Sequence, residues 1–572
     1  MLKKCNLVEL FSGIGSQARA LENLGVDVNT LGTCEWDVHA VVAYDLIHGS
    51  ADIPDDIQKL SKIELLEILK AFTFSNSGKE ALEYRAFRTY SVDALRHIYA
   101  SILRNHNYVD ISHLDGALLP NNIDILTYSF PCQDLSNVGA FHGYNKGIDK
   151  DSGSRSSLVW QVGRILNEMD AAEKTLPRFL LMENVPTLLS RRHLANFTTW
   201  INDLSELGYI SKYFQLNASS FGLPQNRPRL LMISVHVGDN QAERELVESF
   251  FDIQTETDII SDYCASEFYK PHTVGELLRT DYSKEVFWEE AVECTPNDTV
   301  SRRKIWEDNP QIVGIDGKIN LAFDTIRTIT TKQDRNPNSG NLYFDSGIDD
   351  RAKFRYLTPR ECLLFMGFTD ADYENLKNNN IEFHRNDALF ARDKIIRLAG
   401  NSIPVKLLEG IFYQVLLIEE LLFEFKHSRR KLSRHGLKGN YSASIRSYLF
   451  RQGIRSRINS NPYPESATLV YPKHRTAVYI QNCFDHGHVC QAHCNNALGN
   501  RAYWKKRLIQ IEKRDQEKYL KTVEMGWNAL VIQECDMKGK HFKEVMDWIL
   551  VCIKEKSPLK EGHGEVIYYG GY

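Results

Sequence analysis

Three residue types that do chemistry stand at the ends of apolar runs in this chain. The first is Cys132. It follows Ile123-Asp-Ile-Leu-Thr-Tyr-Ser-Phe130 and Pro131, and the β-branched and aromatic residues of that run predict a buried strand. Pro131 ends the strand, so Cys132 opens a loop in which a thiol can be presented to a ligand. A lone cysteine reads equally as a small buried hydrophobe. The second is Glu183, an acid at the end of Arg178-Phe-Leu-Leu-Met-Glu183-Asn184-Val185, and the carboxyl ends of strands are where open α/β sheets place their chemistry. The third is the pair Arg227 and Arg229 in Phe221-Gly-Leu-Pro-Gln225-Asn-Arg227-Pro-Arg229. They alternate along an extended segment, so both can face one side.

Other elements must hold these groups together. Asn6 to Phe11 predicts a strand, Ser12-Gly13-Ile14-Gly15 a turn, and Ser16 to Leu24 a helix. Strand, glycine turn, helix is a layout that brings a ligand against backbone N–H groups. Leu31-Gly-Thr-Cys-Glu35-Trp36 predicts a second strand ending in an acid, and Glu35 there can accept hydrogen bonds from ribose hydroxyls. Taken together they point to an adenosyl-type site. Asn107-Tyr-Val-Asp110-Ile111 is expected to end a further strand-like segment, with Asp110 in reach of an adenine amine. Ala51 to Arg104 is a helix-rich elaboration. Gly139, Gly143, Gly147 and Gly153 suit a loop able to close over a substrate after Cys132.

The 572 residues carry a net charge of −5, which does not by itself suggest nucleic acid. The balance hides an asymmetry: Lys426 to Arg457 holds ten Lys and Arg and no Asp or Glu. Such a run is either a solvated face or the footprint of a phosphate-binding surface. The chain has no stretch of ~18 apolar residues and no signal-peptide pattern, so a soluble, cytoplasmic protein without a membrane role is expected. Late in the chain Cys483, His488 and Cys490, with the distant Cys535, make a Cys3His set that suits zinc in a reducing compartment. His486, His493 and Cys494 compete for a ligand place.

In this order the motifs resemble the DNA cytosine-5 methyltransferase family: Phe11-Ser-Gly-Ile-Gly15, Glu35-Trp36, Asp110-Ile111, Pro131-Cys132-Gln133, Glu183-Asn184-Val185, Gln225-x-Arg227-x-Arg229, and Leu398-Ala-Gly400-Asn401-Ser402-Ile-Pro-Val405. The resemblance implies an α/β fold, a Rossmann-like S-adenosylmethionine-dependent methyltransferase sheet with an inserted target-recognition domain. It implies a methyl group moved from S-adenosyl-L-methionine to C5 of a flipped-out cytosine in double-stranded DNA. Cys132 would add to C6 of the base, Glu183 would protonate N3, and Arg229, with Arg227 nearby, would hold the ring oxygen. Phe11, Gly13, Gly15, Glu35, Trp36, Asp110, Ile111, Asn401 and Ser402 would bind the donor. A bacterial modification enzyme is expected, acting as a monomer and separately from a cognate restriction endonuclease.

The expected domains are residues 1–237 and 354–423 for catalysis, 238–353 for target recognition, 424–438 as a basic linker, and 439–572 as a second module. That module resembles the very-short-patch-repair DNA mismatch endonucleases, an α/β PD-(D/E)xK-like fold with a structural zinc whose ligand pattern Cys483, His488, Cys490 and Cys535 match. The nuclease centre departs from the pattern. Thr468 stands where that family has a metal-binding Asp, Ser442 where it has a Glu, and Asp485 where it has an aromatic wedge. A threonine cannot replace a charged ligand for a hard divalent cation. The module is therefore expected to be nuclease-inactive and DNA-binding or structural; the alternative is a bifunctional methyltransferase and T:G mismatch nickase.

Overall fold

The computed structural model describes residues 3–131, 135, 148, 155–320, 324–335, 337–384, 387–434, 441–457, 464, 467–481, 501–537, 541–556 and 563–570. The chain divides into two compact units, Met1–Leu422 and Phe423–Tyr572.

The first unit is organised by a sheet of β1 (Lys4–Leu10), β2 (Asp27–Cys34), β3 (Ile125–Tyr128), β4 (Phe179–Asn184), β5 (Tyr209–Asn217) and β7 (Pro228–His236), in the order β2-β1-β3-β4-β7-β5. The strands β2, β1, β3 and β4 are parallel, and β7 runs antiparallel to both β4 and β5. Sheets covered on both faces read as unbroken apolar runs, and every residue of Ile125–Tyr128 and of Leu230–Val235 is buried. One face packs on the helices Val159–Ala171 and Leu194–Glu206: Val162, Ile165, Phe197 and Trp200 share a core with Leu10, Leu126, Tyr128, Met182 and Met232. The buried Trp200 Nε1 donates to the Tyr128 hydroxyl at 3.0 Å, which satisfies its one polar atom.

This topology decides what can meet. The parallel strands β1, β3 and β4 end at one edge. The antiparallel β7 begins at that edge, with Asn184 opposite Leu230 and Glu183 opposite Leu231. An acid at the end of β4 and an arginine at the start of β7 are thereby brought side by side.

Later in this unit the Thr358 hydroxyl caps the helix Pro359–Leu364 in a capping box with Glu361. Glu361 also pairs, fully buried, with Arg355 at 2.7 Å. The helices Arg392–Asn401 and Val405–Arg434 follow.

Two expectations are corrected here. Asn107 to Ile111 is not a ladder strand: it makes one isolated bridge, Thr33 to Asn107, and Val109 has φ 63°. The Asn107 side chain takes over the pairing, donating to the Glu35 carbonyl at 3.0 Å and accepting from the N–H groups of Glu35 at 3.0 Å and Val109 at 2.9 Å. The basic stretch expected as a linker over 424–438 begins as helix: the helix begun at Val405 runs through Lys426 to Arg434, with no glycine or proline between Gly410 and Gly436.

The region 238–353 holds the helices Gln241–Ile253, Glu256–Cys264, Glu285–Glu293 and Val300–Asp308 and short strands. Of these, β8 (Gln311–Val313) and β10 (Asn341–Tyr343) form one small sheet with β11 (Phe354–Arg355), which follows the region. Two further pieces, β6 (Gln225–Asn226) and β9 (Ile326–Arg327), pair in parallel with each other.

In the second unit, β14 (Leu469–Tyr471), β15 (Thr476–Gln481), β16 (Asn528–Gln533) and β17 (Val566–Tyr568) form a sheet in chain order. The pair β14/β15 is antiparallel and the others are parallel. The helices Tyr441–Arg451 and His541–Glu555 bury Ile445, Leu449, Val545 and Ile549 against Leu469, Val478 and Leu530. Among the described residues no helix is long and apolar enough to cross a membrane.

Candidate active site

The turn after β1 is shaped by three left-handed residues: Phe11 at φ 58°, Gly13 at 55° and Gly15 at 79°. Glycine at 15 is required twice over, since a Cβ there would lie 2.2 Å from His48 Nε2. Beside Gly13 there is open space, with nothing within 4 Å of an added Cβ. The Phe11 N–H donates to the Cys34 carbonyl at 2.8 Å, and this fastens the turn to the end of β2.

Glu35 follows β2 directly. Its Oε2 accepts from the Gly13 N–H at 3.0 Å and its Oε1 from the Asp37 N–H at 2.8 Å. Burial, and then the nearby Asp37 charge, push its carboxyl up to about 7. Each oxygen keeps a lone pair for a further donor. Trp36 is held by the Ser75 N–H, which donates to its carbonyl at 2.8 Å. Asp110 accepts from the Ser112 N–H at 2.9 Å, and Ile111 lies in the core.

Sequence reasoning passed over Glu9. It is fully buried beneath the glycine turn, accepting from the Tyr44 hydroxyl and from the Ala18 N–H in the helix α1 (Ser16–Asn23). Burial lifts its carboxyl to about 7. The signal was present: an acid inside the apolar run Leu7-Val8-Glu9-Leu10 needs a buried partner.

At the ends of β3 and β4 a second cluster forms. Arg229 Nε reaches Glu183 Oε1 at 2.7 Å, and each side chain is only 12% exposed. Burial pushes the Glu183 carboxyl above the usual carboxylate range, against the downward pull of Arg229 and then of Arg227. Desolvation wins over the ion pair, which favours a proton-bearing acid. Cys132 itself lies outside the described residues, but the backbone leading to it does not. Asn184 Nδ2 donates to the Phe130 carbonyl at 3.1 Å, and Ser156 Oγ donates to the Pro131 carbonyl at 2.6 Å.

Arg227 and Arg229 do not share a task. Arg227 is buried, and its guanidinium donates to the carbonyls of Ile329 at 2.8 Å, Gly400 at 2.9 Å and Ser402 at 2.8 Å. It reaches Glu183 by its charge alone. Gln225 does similar work, donating to the Phe365 carbonyl at 2.8 Å and accepting from the Ile329 N–H at 3.0 Å. Arg227→Ala is expected to cost roughly 1–3 kcal/mol for each carbonyl left unsatisfied, read as a lowered Tm in thermal unfolding. Arg227→Lys should recover only part of it, since an ammonium lacks the planar fork.

Gly400 is needed for close approach: a Cβ there would meet the Thr330 backbone at 2.5 Å. Asn401 ends its helix exposed, while Ser402 is buried, its Oγ donating to the Leu398 carbonyl at 2.8 Å.

In the second unit Thr468 is half-buried at the start of β14, its N–H on the Val478 carbonyl at 2.8 Å and its Oγ1 accepting from the Ile480 N–H at 3.1 Å. Its hydroxyl is thus part of the strand pairing. Of the expected zinc ligands, Cys483, His488 and Cys490 lie outside the described residues, as does Asp485. Cys535 is half-buried in the turn Glu534–Met537 after β16. Among the described residues no three His, Cys, Asp or Glu side chains gather to hold a metal ion.

Known proteins match both parts of the chain. The family model for C-5 cytosine-specific DNA methylases matches residues 79–416, and that for the DNA mismatch endonuclease Vsr matches residues 428–492. The orphan methyltransferase M.SssI of Spiroplasma monobiae is 31% identical over 429 residues, 72% of this chain and 97% of its own. The type II methyltransferase M2.ScrFI of Lactococcus lactis subsp. cremoris is 27% identical over 417 residues, 71% of this chain and 98% of its own. Among solved structures, the S. pombe Dnmt2 methyltransferase is similar at 15% identity and a TM-score of 0.42, over 72% of this chain and 98% of that one. With more than half of its length matched, this chain belongs to the C-5 cytosine-specific DNA methylase family and carries a Vsr mismatch-endonuclease segment toward its C-terminus.

Proposed function

We propose that the chain methylates C5 of one cytosine in a specific duplex DNA sequence through a covalent adduct with Cys132. The observation that carries this reading is the Arg229–Glu183 pair at the sheet edge, beside backbone that Asn184 and Ser156 hold just ahead of Cys132. Cytosine C5 is a poor nucleophile. A Cys132 thiolate adding to C6 drives the ring electrons toward C5 and N3, and a proton from Glu183 at N3 relieves the charge. Arg229 stabilises the ring oxygen. S-adenosylmethionine, the donor that the family implies, supplies an electrophilic methyl group when bound. Loss of the C5 proton to a base then lets the sulfur leave and restores the ring. The target carbon is stacked inside the duplex, so the base must be flipped out to reach Cys132.

The residues around the glycine turn fit the donor. Phe11 is half-exposed at the turn, space is open beside Gly13, and the Glu35 carboxylate is fixed with lone pairs to spare for the ribose. Residues 238–353 would read the sequence. Bisulfite sequencing of DNA from expressing cells tests the reading: one recurrent protected sequence supports it, and uniform conversion rejects it.

A role as the modification half of a restriction system is the natural setting, supported by the type II name of one relative. We further propose that the Vsr-like segment is nuclease-inactive, with zinc on Cys483, His488, Cys490 and Cys535 as a structural ion. The hydroxyl of Thr468, already used within the sheet, supports the inactivity; the zinc rests on residue type and spacing. The expected result on a T:G mismatched duplex with Mg²⁺ is no nicking by the wild type. Robust nicking that survives Cys132→Ser would establish the bifunctional alternative.

A further inference from the structure

Asp37 carries an ion pair that the chemistry above does not use. Both Nη atoms of Arg397 donate to its carboxylate, Nη2 to Oδ1 at 3.2 Å and Nη1 to Oδ2 at closer range. The pair is buried, with Asp37 6% and Arg397 15% exposed. Burying two charges costs desolvation, so the pair needs a use other than stability. On its other side Asp37 meets Glu35 and the start of the next helix. Its carboxylate accepts from the His39 N–H at 3.1 Å, capping the helix α2 (Val38–His48). Its own N–H donates to Glu35 Oε1 at 2.8 Å, and Glu35 Oε2 holds the Gly13 N–H.

Arg397 lies in the helix Arg392–Asn401, whose far end receives Arg227 on the Gly400 carbonyl, with Ser402 just beyond. Arg227 stands two residues before the arginine that grips Glu183. A single helix of ten residues therefore touches the segment that sets Glu35 at one point and the segment that sets Arg229 at another.

We propose that Arg397 is a positioning residue for the donor: by pairing with Asp37 it keeps Glu35 and the Gly13 turn in place, and it joins donor binding to the return segment. This rests on the reading of Glu35 as the acceptor for the donor's ribose. The electrostatics agree with the geometry. The Asp37 charge pushes the Glu35 carboxyl up, second only to burial. The groups facing Asp37 are Glu35, Arg397, Lys394 on the same helix as Arg397, Tyr90, and His39, which burial lowers to about 4 and so leaves neutral. Without the Arg397 cation the Asp37 charge on Glu35 is less compensated, which favours a proton on Glu35.

The test is calorimetric titration of the full-length protein with S-adenosylhomocysteine across about pH 6.5 to 8.5, bracketing the Glu35 value. Arg397→Met should bind several-fold more weakly near pH 7 and recover as the pH rises. Arg397→Lys should keep most of the affinity. Adding Asp37→Asn to Arg397→Met should restore binding, since asparagine still caps α2 and the burden on Glu35 is gone. A pH-independent loss, equal in the single and double variants, would mark Arg397 as merely structural and overturn the proposal, as would wild-type affinity in Arg397→Met. Failure of the wild type itself to bind would instead reject the donor reading, and this proposal with it. Circular dichroism of each variant separates misfolding from lost binding, and Arg397→Lys keeps the test decisive if the methionine variant does not fold.

Discussion

Cys132→Ser is expected to erase methylation: bisulfite sequencing of DNA from cells expressing it should show no protected site where the wild type protects one recurrent sequence. A serine hydroxyl is not ionised near neutral pH, whereas a thiolate is the attacking form and is intrinsically far more nucleophilic. The loss should exceed about 10³-fold, ~4 kcal/mol of barrier. The fold should survive, because Asn184 and Ser156 hold the backbone before residue 132. Retained DNA binding with no transfer is the signature of a lost nucleophile. Transfer at the wild-type rate would refute the adduct.

The next largest effect is expected at Glu183. Glu183→Gln keeps the shape and removes the proton donor, and general acid catalysis contributes roughly 10²–10⁴-fold. The sign of the pH dependence follows from the buried carboxyl. Its pKa is raised, so the acid form is present below that value and lost as the pH climbs through it, above the usual carboxylate range. Single-turnover rates of the wild type should fall along that limb, and the glutamine variant should be slow and flat across it. Arg229→Met should shift the limb to higher pH, since the cation that pulls the carboxyl down is gone. A glutamine variant that keeps the wild-type rate and limb would assign the N3 proton to another group.

Strand ends and glycine turns were legible because each is written locally. Pro131 follows the end of β3 closely, Thr358 and Pro359 start a helix, and Ile125–Tyr128 is buried throughout, with Thr127 its one polar side chain. That Glu183 would meet Arg229 was not local: it needs β7 to lie antiparallel between β4 and β5. The roles of Asn107 and Arg397 left no local trace, since each acts on a segment distant in the chain: Asn107 on Glu35, Arg397 on Asp37. Alternation along an extended segment put Arg227 and Arg229 on one side, yet three backbone carbonyls claim Arg227 and a carboxylate claims Arg229. Pattern gives direction; the partners available decide use. The helices within 238–353 also escaped, because their apolar residues are sparse: Gln241–Ile253 buries Leu246, Val247, Phe250 and Phe251 on a largely charged ground.

Gln225 and Arg227 bind the segments around them chiefly through backbone groups: the N–H and carbonyl of Ile329 and the carbonyls of Phe365, Gly400 and Ser402, with the Met366 sulfur as a further partner of Gln225. Such a fastening is blind to side-chain identity. Side chains could vary along 326–330 without loosening that attachment, provided that the Thr330 backbone still lies against Gly400, whereas Tyr263, Arg279 and Glu290 hold the rest of the region through side chains, on Glu409, Asp370 and Arg360. The fold thereby separates what must be inherited unchanged from what is free to drift. Exchange of the insert between homologous genes, cut near residues 238 and 353, should carry a new reading preference only where Arg360, Asp370 and Glu409 meet partners like Glu290, Arg279 and Tyr263.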